Sequence, residues 1–128
     1  MERNKILYAE DNDYMRNLII EFLEKFEDYN IESFLEGTSF KNRLEKDVSD
    51  VALVITDNQM PGYDGFSIIK DYSRKKKFEK IPFILCYGGH ESIGKEAKKR
   101  GAFDYIQKPF TFSQFTEVLQ KALNFSEK

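Results

Sequence analysis

The sequence predicts an α/β fold on a parallel β-sheet, and three observations carry that reading. Short apolar runs alternate with longer segments of helical period, the alternation recurs along the whole chain, and 128 residues are the length of one ordinary domain. The apolar runs are Lys5–Ala9, Asn30–Phe34, Val51–Thr56, Ile81–Cys86 and Phe103–Ile106, which predict five strands. Between the first two, Met15, Leu18, Ile19, Phe22, Leu23 and Phe26 recur at helical spacing, with Asp13 placed to cap the helix. A second helix is expected around Phe40–Leu44, on few apolar anchors. A third follows Asp64-Gly65, carried by Phe66, Ile69 and Tyr72.

The fourth helix, Glu91 to Arg100, follows Gly88-Gly89 and sets Lys95, Lys98, Lys99 and Arg100 against little apolar surface. Two readings stand side by side: a moving part that shifts at low cost, or a solvated helix behind a flexible loop. His90, just before it, reads as an exposed loop residue, with a phosphate-proximal or switching role as the alternative. The last helix opens with the capping-box pattern Thr111-Phe112-Ser113-Gln114 and offers Phe112, Phe115, Val118, Leu119, Ala122 and Leu123 to one face.

Composition bounds the function. A net charge of -2 with 33% charged residues gives no electrostatic footprint for nucleic acid, which is not expected as a partner. The basic run Arg74-Lys75-Lys76-Lys77 with Lys80 reads as a solvated group near a helix C-terminus, with a site for an anionic partner as the alternative. The single Cys86 lies in an apolar run, without a second cysteine to pair with, and fits a reducing interior. The N-terminus has neither a signal-peptide core nor a membrane span, so the expectation is a cytoplasmic protein with no membrane insertion. Residues 1–128 read as a single domain, with no room for a second module.

Three of the strands run into charge. Tyr8-Ala9 leads to Glu10-Asp11, Val51–Thr56 to Asp57, and Tyr105-Ile106-Gln107 to Lys108-Pro109. In an open α/β sheet these ends share one edge, where such sheets hold ligands. Close carboxylates repel unless a cation sits between them, and all-oxygen ligands favour a hard ion such as Mg2+, which is held by few carboxylates plus water and phosphate oxygens. Asp57 ends the central buried strand and is the candidate phosphoryl acceptor. The loop Asn58–Gly65 turns away from it and leaves a backbone carbonyl, that of Gln59, for the metal. Lys108 is positioned as a point charge for a phosphate oxygen. The isomer of the Lys108-Pro109 bond stays open at this level.

These segments, Ile6–Asn12, Asp57–Gly65, Ile81–Leu85 and Gly101–Phe110, resemble receiver domains of the two-component response regulators, of the chemotaxis type, over essentially the whole sequence. The resemblance implies a flavodoxin-like, doubly wound five-stranded sheet of order 2-1-3-4-5 with five helices, the order for which this family is itself a standard example. It also implies that Asp57 takes phosphate from a sensor histidine kinase or histidine phosphotransfer protein, with Glu10 and Asp11 on Mg2+ and Lys108 on the phosphoryl group. A downstream protein target would then read the face made by the fourth helix, fifth strand and fifth helix.

The family places a small hydroxyl at the end of the fourth strand, a position that falls here on Tyr87. Tyr105 matches the aromatic that rotates when phosphate captures that hydroxyl. A phenol is too long to swing inward the same way, so the expectation is preserved acceptor chemistry with an altered readout, with Gly88-Gly89 or Cys86 as substitutes for the missing hydroxyl. Two alternatives bear on function. An aspartate-nucleophile phosphatase would resemble a family with a second acid two residues after the nucleophile, where this chain has Gln59. A pseudo-receiver would bind partners without phosphorylation, and Tyr87 is the residue that favours it.

Overall fold

The structure is a computed structural model and describes residues 2–127. Five strands, β1 (Lys5–Ala9), β2 (Asn30–Phe34), β3 (Val51–Asp57), β4 (Phe83–Tyr87) and β5 (Asp104–Gln107), form one sheet. All pairings are parallel and the order is β2-β1-β3-β4-β5. The connections are α1 (Asp13–Leu23), α2 (Gly37–Leu44), α3 (Gly65–Tyr72) and α4 (Glu91–Lys99), and α5 (Phe112–Ser126) closes the fold. The flavodoxin-like order is therefore the one expected.

The alternation of side chains along each strand divides the core into two layers. On one face Leu7, Val54, Phe83, Leu85 and Tyr87 meet Phe40 and Leu44 of α2, Ile68, Ile69 and Tyr72 of α3, and Ala97 of α4. On the other, Ile6, Tyr8, Ile55, Ile84, Cys86 and Ile106 meet Ile19 and Leu23 of α1 and Phe115, Leu119 and Leu123 of α5. β3 is buried at every position, as a central parallel strand covered on both faces should be.

Local chemistry shifts several boundaries. Asn12, not Asp13, caps α1: its side chain accepts from the Met15 amide at 2.9 Å, while Asp13 sits in the first turn and pairs with Arg16 at 2.6 Å. The acid is favourable there because it meets the positive end of the helix dipole. β4 begins at Phe83 rather than Ile81, since Pro82 has no N–H and contributes only its carbonyl, to the Val54 amide at 3.0 Å. The capping box at Thr111 and Gln114 forms with both bonds in place.

The two weakly anchored helices differ. α2 has only two large anchors, but Phe40 and Leu44 are both fully buried. α4 fully buries just Gly94 and Ala97, both small, with half-buried Ile93 packed beside them, and so it lies close on the sheet. The Lys108-Pro109 bond is cis. Among the described residues, no helix is long and apolar enough to cross a membrane.

Candidate functional site

The parallel order brings the C-terminal ends of β1, β3 and β5 to one edge, and the pleat decides which side chains meet there. Asp57 shares its side of the sheet with Ile55, two residues before it, and lies opposite Cys86 in register. Carboxylate oxygens of Glu10, Asp11 and Asp57 all lie within 4.8 Å of one another. The Lys108 Nζ donates to Asp57 Oδ1 at 2.7 Å and to Glu10 Oε1 at 3.2 Å. The predicted acids and the predicted lysine thus converge on a single pocket. Glu10 is 1% exposed and Asp57 7%, whereas Asp11 is exposed.

The electrostatics follow from that crowding. Burial, reinforced by the negative charge of Asp57, pushes the Glu10 carboxyl up to about 7, against the pull of Lys108 and the Asn12 amide. Burial opposes the charged form of Lys108, but the hydrogen bond and charge of Asp57, with those of Glu10, outweigh it and raise its pKa. One ammonium therefore faces three carboxylates, a deficit of positive charge that a hard divalent cation fits. The cluster is all oxygen, open on the Asp11 side and partly dry on the Glu10 side.

Several neighbours that the sequence did not single out hold these groups in place. The Asn12 amide donates to Glu10 Oε2 at 3.3 Å, and the Arg16 guanidinium donates to the Glu10 carbonyl at 3.2 Å. The Asn58 amide donates to the Cys86 carbonyl and the Asn58 carbonyl accepts from the Gly65 amide. Gly65 must lack a side chain, because a Cβ there would lie 2.0 Å from the Asp57 carbonyl oxygen. The helical period of α1 and the Asp-Gly pair were visible in sequence; which amide reaches Glu10 was not. Beneath the pocket, Tyr8 and Cys86 form a dry floor, and burial pushes the Cys86 thiol up to about 12, which keeps it neutral. Gln59 lies exposed in the loop after β3.

The model of the response regulator receiver domain matches residues 6–120. The chain belongs to that family. Among relatives, it is 31% identical over 121 residues to a chemotaxis protein CheY homolog of Campylobacter jejuni, covering 93% of this chain and 92% of that one. It is 28% identical to chemotaxis protein CheY1 of Helicobacter pylori, covering 96% and 99%. A solved response regulator receiver domain protein of Clostridium thermocellum superposes with a TM-score of 0.83 at 25% identity, covering 97% of each chain. The protein is a two-component signalling module of the receiver type.

On the opposite side of the receiver's sheet, Tyr87 is fully buried and its ring lies 6.0 Å from that of Tyr105. The Tyr87 hydroxyl donates to the Glu91 carbonyl at 3.4 Å, at the start of α4. Tyr87 belongs to the layer beneath α4, whereas Cys86 is the β4 residue on the acidic side. Tyr105 is half-buried with its ring against Gly94, where a Cβ would lie 2.3 Å from the ring. The two tyrosines thus occupy adjoining places in one layer.

Proposed function

We propose that this receiver is a phosphorylation-driven module in which Asp57 is the phosphoacceptor. The observation that supports it is the convergence of three carboxylates within 4.8 Å, bridged by Lys108 at 2.7 Å from Asp57. Glu10, Asp11 and Asp57, with the Gln59 carbonyl, would hold Mg2+, which when bound supplies charge neutralisation for an incoming phosphoryl group. An Asp57 carboxylate oxygen attacks the phosphorus of a phosphohistidine. The P–N bond breaks, its electron pair stays on the imidazole nitrogen, and that nitrogen takes a proton. Lys108 reaches Asp57 through a 2.7 Å bond and turns the same ammonium to the charge that arrives there.

The donor is a sensor histidine kinase or a histidine phosphotransfer protein, and the output is protein contact through α4, β5 and α5, in the cytoplasm. The chain acts as one receiver domain on its own side chain and turns over no external substrate. Exposed Gln59, two residues past the acceptor, supplies no second acid for hydrolysis of one. The test is incubation with a small-molecule phosphodonor and Mg2+. One phosphoryl group per chain is expected, with none in Asp57→Asn; no incorporation in the unaltered chain sinks the reading.

A second reading rests on Tyr87. Because its ring fills the layer beside Tyr105 and its hydroxyl turns to Glu91, the receiver could present its α4 face without a phosphate-driven rearrangement. An unchanged Tyr105 ring resonance on adding Mg2+ and a phosphoryl mimic favours that pseudo-receiver reading, and a shifted one favours switching.

A further inference from the structure

His90 is the only histidine in the chain. It is the N-cap of α4, with extended backbone, and its Nδ1 accepts from the Ser92 amide at 3.0 Å and meets the Ser92 hydroxyl at 2.9 Å. An imidazole accepts at Nδ1 only while it is neutral with its proton on Nε2. Once protonated it has two donors, no acceptor, and a positive charge beside the positive end of the helix dipole. We infer that His90 makes the docking of α4 pH-sensitive: taking up a proton breaks the cap and frays the first turn of the helix that carries the receiver's α4 face.

The surroundings leave that bond unusual weight. α4 fully buries only Gly94 and Ala97; besides the cap, its first turn is held by half-buried Ile93 packed on the core and by three hydrogen bonds. Gln107 donates to the Gly89 carbonyl at 2.7 Å, the Tyr87 hydroxyl donates to the Glu91 carbonyl, and the Ile93 amide donates to the His90 carbonyl at 3.1 Å. Of the charged and titratable groups on the packed elements, Tyr105 of β5 lies against Gly94, Glu96 of α4 pairs with Arg100 at 3.4 Å, and Lys98 and Lys99 lie toward the far end of the helix. Glu91 and Lys95 of α4 pair with each other at 3.5 Å. Lys108, after β5, is held by Glu10 and Asp57, and Asp104 of β5 accepts from the Tyr105 amide at 2.8 Å. Tyr87 is the titratable group of β4 on this side, and Arg74, after α3, bonds the Lys99 carbonyl at the far end of the helix. Among the described residues, Ser92 alone is bonded to the imidazole side chain.

The sign follows from the protons. Fraying lets the imidazole bind a proton that the capped form excludes, so acidification favours fraying and the cap is intact above the imidazole's titration. Glu10 is pushed up to about 7, inside the pH range the test scans, so the test needs a variant that separates the two groups.

The experiment is amide exchange at Ser92 and Ile93, expressed as protection factors across pH 5 to 8, with the 15N shifts of the single imidazole read on the same sample. In the unaltered chain, protection should fall about fivefold as pH drops, the ratio a typical cap bond supports. That step should share one midpoint with the imidazole titration, and the neutral ring should carry its proton on Nε2. His90→Asn, whose side chain accepts at every pH, should abolish the step while Glu10 still titrates. His90→Ala should show the low protection throughout. A flat profile in the unaltered chain, a proton on Nδ1, or the same step in His90→Asn overturns the inference, and each of these is independent of whether Asp57 takes phosphate.

Discussion

The two sides of the sheet are held by different forces. At the strand ends on the α1 and α5 side, Glu10, Asp11, Asp57 and Lys108 are arranged by charge, and each needs the others to be where it is. Across the sheet, Tyr87, Tyr105 and Gly94 are arranged by volume: two rings fill a layer that the small surface of α4 has to follow. Charge sites tolerate few residue types, because a carboxylate or ammonium has no neutral stand-in of equal chemistry. Volume sites tolerate many, provided the sum is kept. In this receiver the first kind of site is Glu10, Asp11, Asp57 and Lys108, and the second is Tyr87 against Tyr105.

The sharpest way to break the comparison is at the acceptor. Asp57→Asn should lose all phosphoryl incorporation while leaving the far-side tyrosine resonances in place, as judged by mass spectrometry and NMR on one sample. A far-side collapse would show that the two regions are not separate. Next in size is Tyr87→Thr, which removes a fully buried ring and should cost about 2–4 kcal/mol in urea denaturation through the cavity left beside Tyr105. If volume alone blocks the switch, the same variant should gain a phosphorylation-dependent shift of Tyr105.

Lys108→Met probes the charged side and should cost about 1–3 kcal/mol, because it strands Glu10 and Asp57 without their shared cation in a partly solvated site. Added Mg2+ should restore part of that loss, and a loss indifferent to Mg2+ would argue that the lysine only packs. The most gradual effect, spread over a pH window, is set by Glu10. Glu10 rests near 4.5 when unfolded and is pushed up to about 7 when folded, so the folded state holds the extra proton between those values. Metal-free stability should fall as pH rises through that window, by at most about 1.4 kcal/mol per unit. Glu10→Gln should flatten the slope.

How much of this was legible beforehand follows the same division. Short apolar runs between segments of helical period placed every strand within two residues, and the run of charge after three strands located the pocket, because strand ends and residue types are written in the sequence directly. Asn12 displaced Asp13 as the α1 cap because both can accept, and only backbone geometry chooses between them. Tyr87 was recognised as a departure, but its partner, the Glu91 carbonyl, depends on where α4 comes to rest. His90 read as a loop residue for the same reason: its cap bond exists only once Ser92 has turned into helix.

One residue spans both regions. The Lys108 backbone amide donates to the Tyr87 carbonyl at 2.7 Å, while the tip of the same side chain holds Asp57. A lever with its pivot on the ring layer and its arm in the acid cluster joins the chemistry to the surface through a single amino acid. The acid cluster and the strand end where the buried phenol begins are thus bridged by the main chain and side chain of one residue, without a side-chain hydroxyl between them.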